Sequence, residues 1–376
     1  MRTFVMGDPQ APFAKMMEVL ARHGTLQGDR LAPDIVLVSI GDHFDYDFRG
    51  FQVAGQEGLR ILRWLASHDP AQTVILLGNH DVSRVMELVA ITDEKFAEAR
   101  SLAQAIDAGD GVNFDDRSDS RTNEGAHVPK PREPEFRAAF PDLPSSGLAG
   151  RDYASFSVEQ RTLVQELLLA GRFHLALAGE LADGRPALIT HAGVTTRELA
   201  MLGLADERDP RAIAAALELH LARAIEHVRE PWQAGLPMPL SLEPLHVAGT
   251  SGEEGGGLLY HRPTNPMRRG ADTAWQLAVA RPRRFDPRSL PLGLTQVAGH
   301  NGHAKCVFEL GDWATPAAQA RKHGGIRTLR RAGETVVYDM GVAPPAANVS
   351  DLILIDGELR RLPASEVDLL PIATLA

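Results

Sequence analysis

The hydrophobic positions of this chain come in short unbroken runs that stop abruptly at a polar cluster. Val74-Ile75-Leu76-Leu77 runs into Gly78-Asn79-His80-Asp81, and Ile35-Val36-Leu37-Val38-Ser39-Ile40 into Gly41-Asp42-His43-Phe44-Asp45. The design recurs at Phe4-Val5-Met6-Gly7-Asp8-Pro9-Gln10, Ala187-Leu188-Ile189-Thr190-His191-Ala192-Gly193 and Val297-Ala298-Gly299-His300-Asn301-Gly302-His303. Such a run predicts a strand buried on both faces, and the polar residues after its glycine are delivered to a sheet edge. Five strands therefore each end in a candidate metal ligand.

Between the first three strands, apolar residues recur at helical spacing. Helices are expected near Ala14–Arg22 and Val53–Ala66, the second from Leu59, Leu62 and Leu65. A helix between successive strands lets them run parallel, with their carboxyl ends on the edge where open α/β sheets bind ligands. Glu94–Ala108 reads as a further helix. Gly109–Glu135 is rich in Asp, Ser, Arg, Gly and Pro and too poor in apolar residues to fix one conformation unaided, so it is either a lid or a solvated loop. Ser157 to Gln160 matches a capping box for a helix with Leu163, Val164, Leu167 and Leu168 inward.

Further on, strands are expected over Phe173–Leu181 and Pro186–Thr190, joined by an Asp183-Gly184 hairpin turn. Asp209-Pro210 opens a helix running to about Val228, on which His220 and His227 read as packed or solvated side chains. The chain closes with strands near Thr335–Asp339 and Leu352–Ile355, after which Asp356-Gly357 turns into Glu358–Leu362.

Composition narrows the class. The 376 residues are 44% hydrophobic and 23% charged, which suits one large domain or two smaller ones; no linker separates two, so a single domain is expected, with insertions at about 92–156 and 200–290. A net charge of -10 argues against a general nucleic-acid or membrane-surface binder, and no extended nucleic-acid groove is expected. Cys306 is the only cysteine, which excludes an intramolecular disulfide and cysteine-rich zinc sites and suits a reducing compartment. The chain enters its first strand too early for a signal sequence and has no run of roughly 18 to 20 apolar residues, so a cytoplasmic location is expected. Its one basic concentration comprises Arg268, Arg269, Arg281, Arg283, Arg284 and Arg288, either a solvated face or a clamp for phosphate groups. Nothing in the chain indicates the oligomeric state.

Taken in order, the motifs are G-D-P-Q (7–10), G-D-H-F-D (41–45), G-N-H-D (78–81), H-A-G (191–193) and G-H-N-G-H (299–303). This series resembles the calcineurin-like metallophosphoesterase superfamily. T-H-A-G-V (190–194) and V-V-Y-D-M-G-V (336–342) look most like the branch of phosphoprotein phosphatases and symmetrical dinucleoside tetraphosphatases. The resemblance implies a four-layer α-β-β-α sandwich with two mixed sheets and the metals at the sheet edge. It implies hydrolysis of a phosphoester by metal-bound hydroxide, with no covalent intermediate. Two divalent ions about 3.5–4 Å apart serve such chemistry by binding phosphoryl oxygens and acidifying a shared water.

By the same resemblance, Asp42 bridges the ions, Asp8 belongs to the first, and Asn79, His191 and His300 belong to the second. His80 protonates the leaving oxygen and Asp45 orients its ring. Mixed oxygen and imidazole donors suit manganese, with iron, zinc or magnesium as alternatives. The sequence departs from the family pattern in three places. Gln10 stands where the family has a metal-binding histidine, a weaker donor that favours a harder ion. His303 is displaced by one residue, and either reaches the first metal through the freedom of Gly302 or points elsewhere. The arginine after G-D-x-x-D is missing, leaving Arg49 or Arg262 to contact phosphate. Asp81 is expected to cap or orient. The expected substrate is a phosphate-rich small molecule or nucleotide. The rival expectations are a protein serine/threonine phosphatase and a catalytically weakened binding module on the same scaffold.

Overall fold

The apolar runs become the buried strands of one large mixed sheet with helices on both sides. The computed structural model describes residues 1–109, 132–253, 255–267 and 283–375. The strands of the large sheet are β1 (Arg2–Met6), β2 (Ile35–Ser39), β3 (Thr73–Leu76), β4 (Phe173–His174), β5 (Ala176–Leu181), β6 (Pro186–Thr190), β7 (Thr295–Ala298), β8 (Arg327–Ala332), β9 (Thr335–Met340), β10 (Val349–Leu354) and β11 (Leu370–Leu375). They pair in the order β9-β8-β10-β7-β6-β5-β11-β1-β2-β3-β4. Within this ladder β1 to β4 are mutually parallel, and so are β6, β7 and β10.

The ladder doubles back on itself, which gives the two-sheet sandwich expected from the motifs. Val5, Val38 and Leu76 from one half share a buried cluster with Ile189, Val297 and Ile353 from the other. Alternate residues face outward. Leu37 and Ile75 pack under helices α1 (Phe13–Arg22) and α2 (Phe51–Ala66), joining Met16, Leu20, Leu59 and Leu62. On the far side, Ala298, Leu352 and Leu354 pack under a helix that carries Cys306 and Leu310. The hydrogen bonding stays continuous because β11 lies between β1 and β5, antiparallel to both.

Other helices are α3 (Asn79–Val82), α4 (Asp93–Gly109), α5 (Glu133–Ala139), α6 (Val158–Leu169), α7 (Thr196–Met201), α8 (Pro210–Gln233) and α9 (His303–Leu310). Ser157 caps α6 as expected, accepting from the Gln160 N–H. The hairpin at Asp183-Gly184 forms, with Gly184 at φ 85°. The expected insertion from 92 builds a small core of its own, in which Phe96, Ile106, Phe136, Phe140, Leu148 and Phe156 are buried together. Most of the stretch expected to be a lid or loop, 109–135, lies outside the described residues, as do Arg268, Arg269 and Arg281.

Three stretches differ from expectation. Phe173–Leu181 is not one strand: it breaks at Leu175 into β4, parallel to β3, and β5, antiparallel to β6. Glu358–Leu362 is not a strand; the chain turns there, and the last strand is β11, whose Pro371 interrupts the apolar pattern that would have marked it. β8 escapes notice because Arg327, Arg330 and Arg331 break the apolar run.

Candidate metal centre

The carboxyl ends of the parallel strands meet at one edge. Asp8 follows β1, Asp42 follows β2, Asn79 and His80 follow β3, His191 follows β6 and His300 follows β7. Close backbone approach makes the convergence possible. A Cβ on Gly78 would lie 2.2 Å from Asp42 Oδ1, and one on Gly299 would lie 2.2 Å from Asp8 Oδ1, so neither position admits a side chain. Asp81, expected to cap or orient, accepts from the N–H groups of Gly78, Asp42 and His43, each at 3.0 Å, and ties the β2 and β3 ends together.

One ligand atom from each of Asp42, His191 and His300 lies within 4.8 Å of the other two, and all three residues are buried. His191 Nε2 is 3.5 Å and His300 Nδ1 is 4.0 Å from Asp42 Oδ2. The Ile40 carbonyl, 2.8 Å from His191 Nδ1, fixes that ring so that Nε2 faces the cluster. The Asn79 amide tip lies 2.9 Å from His300 Nδ1, 3.2 Å from both His191 Nε2 and Asp42 Oδ2, and 3.3 Å from the Leu259 carbonyl. With Nδ2 in that place its two hydrogens can serve only two of these atoms; with Oδ1 there it accepts from a protonated His191 Nε2, while it faces Asp42 Oδ2 and the Leu259 carbonyl oxygen to oxygen, which a cation would relieve. Two imidazoles, a carboxylate and an amide around one point suit a first-row divalent ion.

The electrostatics of the cluster favour positive charge. Burial works against a charged His191, but Asp42 and then Asp8 outweigh it and hold its pKa up to about 9. Burial also opposes ionisation of Asp42, yet His191 and His80 hold its carboxyl well below the usual range. Burial, followed by the charges of Asp356 and Asp42, pushes Asp8 well up. His300 is pushed well down by burial, with Arg262 and His191 adding to it. The cluster thus holds a proton on His191 where a metal would supply charge.

The expected first-metal ligands are only partly brought together. Asp8 accepts from the His300 N–H at 3.0 Å, which places its carboxylate beside the cluster. Gln10 spends its amide N–H on the Phe44 carbonyl at 2.8 Å. His303 does not join the cluster. It opens α9, and its ring is spent elsewhere, with Nδ1 2.8 Å from Tyr338 Oη and Nε2 2.9 Å from the Ala318 carbonyl. The freedom of Gly302 does not bring it round. Both departures leave Asp8 and Asp42 as the carboxylates of that position, with no imidazole among its expected ligands.

His80 stands at the edge of the cluster. Its N–H donates to Asp42 Oδ1 at 2.8 Å, and its Nδ1 lies 2.9 Å from Asp45 Oδ2. Its side chain is 19% exposed against 1% for Asp45, so the ring alone faces outward. Burial opposes its charge, but Asp42 and Asp45 raise its pKa. Asp45 is held low, burial being outweighed by Arg84 and His80.

The two candidate phosphate contacts lie in different surroundings. Arg49 is exposed, with its guanidinium 5.4 Å over the Phe48 ring. Arg262 sits close enough to depress His300, and its buried Nε has no partner. Sequence reasoning missed three residues. Arg84 pairs with Asp45 Oδ2 at 2.7 Å, Ser155 donates to Asp45 Oδ1, and Asp356 follows β10 close enough to raise Asp8. Arg84 carried a readable signal, a lone base four residues after His80 in an apolar stretch.

Buried nitrogen and oxygen donors at the carboxyl edge of an α/β sandwich, with an outward imidazole beside them, define the class of metal-dependent phosphoesterases. The chain belongs to the calcineurin-like phosphoesterase family, whose profile matches residues 1–197 and so takes in the motifs from Asp8 to His191. A comparison with curated proteins found no match. Among the described residues no helix is long and apolar enough to cross a membrane.

Proposed function

We propose that this protein hydrolyses a phosphoester of a small, phosphate-rich molecule or nucleotide, and that His80 protonates the leaving oxygen. The observation that carries the reading is the convergence of Asp42, Asn79, His191 and His300 on one point, with the His80 ring partly exposed beside it. Asp42, Asn79, His191 and His300 would hold one divalent ion and Asp8, Asp42 and Gln10 a second, manganese being the natural choice. Bound there, the ions would polarise the phosphoryl oxygens and acidify the attacking water. Asp45 keeps His80 protonated and fixes the orientation of its ring, so that its outer nitrogen donates as the ester bond breaks. Arg262 supplies a guanidinium to the phosphate. Its unpaired Nε supports this role, as does its closeness to His300.

The test is turnover of nucleotides and of simple phosphate mono- and diesters by metal-stripped protein resupplied with Mn²⁺, with Asp42→Asn as control. Restored turnover that the substitution abolishes is expected. A folded, metal-binding protein inactive on the whole panel would sink the proposal. One observation favours a second reading, a weakened binding module: His303 is committed to Tyr338 and Ala318, away from the cluster. That reading predicts ligand binding without turnover, and a His80→Ala variant indistinguishable from the wild type.

A further inference from the structure

Arg84 and Arg327 are the largest side chains buried completely among the described residues. A guanidinium taken wholly out of water must be matched donor by donor, and that of Arg84 is. Nη1 donates to the His80 carbonyl at 2.7 Å and to Ser83 Oγ at 3.1 Å. Nε and Nη2 donate to Gln160 Oε1 at 3.1 and 3.0 Å, and Nη2 also reaches Asp45 Oδ2 at 2.7 Å. The rings of Phe44 and Tyr153 cover it, at 4.8 and 5.6 Å.

The network closes through the insertion. Gln160 donates from Nε2 to the Ser155 carbonyl at 2.8 Å, and Ser155 grips Asp45 Oδ1 with its N–H at 3.0 Å and its hydroxyl at 2.6 Å. Asp45 therefore has one oxygen fixed by Ser155 and the other shared between Arg84 and His80. Tyr153 meets the His80 ring edge-on at 5.4 Å. Arg84 thus holds His80 twice, by its own backbone carbonyl and by the carboxylate that orients its ring. A plain buried ion pair has no need of the first contact.

We infer that Arg84 and Ser155 are positioning residues that aim the His80 ring at the leaving-group oxygen. This rests on His80 being the proton donor of the proposed reaction. In that step the His80 N–H bond breaks, its proton passes to the ester oxygen as the P–O bond breaks, and a neutral imidazole and an alcohol remain. Asp45 stays ionised throughout, paired with Arg84. Such a transfer needs donor and acceptor within about 3.2 Å, so a small tilt of the ring is enough to lose it.

The test compares phenyl and 4-nitrophenyl phosphate esters, monoesters with diesters alongside, using the Mn²⁺-loaded full chain. The nitrophenolate departs with little help from an acid, whereas phenolate needs its proton. Arg84→Lys keeps a cation but cannot span both contacts, and it should lower kcat on the phenyl ester about 100-fold. On the nitrophenyl ester the loss should stay below about threefold, with KM and metal content unchanged on both. Ser155→Ala should shift the same ratio less far, and it decides the matter if Arg84→Lys does not fold. His80→Ala is run beside them. Selective loss in His80→Ala with uniform or no loss in the other two variants overturns the positioning role alone. Uniform loss in His80→Ala overturns the proton-donor reading and the positioning role with it, as does a wild type that cleaves neither ester.

Discussion

Metal affinity should depend steeply on pH, because the cluster holds a proton in the metal's place. With its pKa at about 9, His191 is neutral in about one molecule in 10² at pH 7, and only neutral imidazole binds a metal. Ejecting that proton weakens apparent binding by about 2.7 kcal/mol at pH 7, two units at about 1.36 kcal/mol each. The dissociation constant should therefore fall about tenfold per unit from pH 6 to 8. His300, pushed well down, is already neutral and adds nothing to the slope, whereas Asp8, pushed up, adds to it at the acid end. Mn²⁺ titration by calorimetry in buffers of different ionisation enthalpy measures both quantities, and about one proton released at pH 7 is expected. Asp42 is the first of the groups that raise His191, so Asp42→Asn should bind metal more weakly but with a flatter slope above pH 7. Stability has the opposite sign. A histidine pKa raised on folding stabilises the metal-free protein fully below about pH 6.5, and the benefit is lost as pH rises through about 9. Metal-free Tm should thus fall from pH 7 to 9 while metal-loaded Tm does not. A dissociation constant flat from pH 6 to 8, with no proton released, would refute the reasoning.

Four substitutions probe the geometry separately. His303→Ala removes contacts to Tyr338 and Ala318 and should lower stability to urea by about 1–3 kcal/mol with metal content unchanged, whereas His300→Ala should lose metal; the reverse pattern would show His303 misplaced. Gly299→Ala drives a Cβ to 2.2 Å from Asp8 Oδ1 and 2.5 Å from Ile40 Cγ2, so it should cost about 2 kcal/mol and weaken metal binding together, with wild-type values in both measurements counting against the close approach. Asp45→Asn leaves the buried Arg84 opposite a neutral amide and should destabilise by about 3–5 kcal/mol in urea; a change under about 1 kcal/mol would mean that Arg84 finds water.

The parts of this site that could be read from sequence are those written locally. An apolar run, a glycine and a ligand type occupy consecutive residues, so β1, β2, β3, β6 and β7 and the residues that follow them were all legible. What depends on distant chain was not. Whether His303 turns toward a metal or toward Tyr338 is decided by where α9 starts and by a strand some 35 residues later. Asp356 reads as half of a turn dipeptide, and only the parallel pairing of β7 with β10 brings it near Asp8. The continuity of the two sheet halves rests on β11, at the end of the chain, where Pro371 hides the pattern.

Backbone conformation explains why acidic residues appear here both as ligands and as scaffold. Asp42, Asp45 and His300 all sit at positive φ, at 58°, 66° and 60°. Each costs about 1–2 kcal/mol for a residue other than glycine and needs something to hold it. Asp81 accepts the Asp42 N–H, Asp8 accepts the His300 N–H, and Asp45 itself accepts the Ser155 N–H. Asp81 and Asp8 are thus bound to the backbone that presents the ligands. Asp81 acts here as scaffold, whereas Asp8 both holds the His300 turn and places its carboxylate beside the cluster.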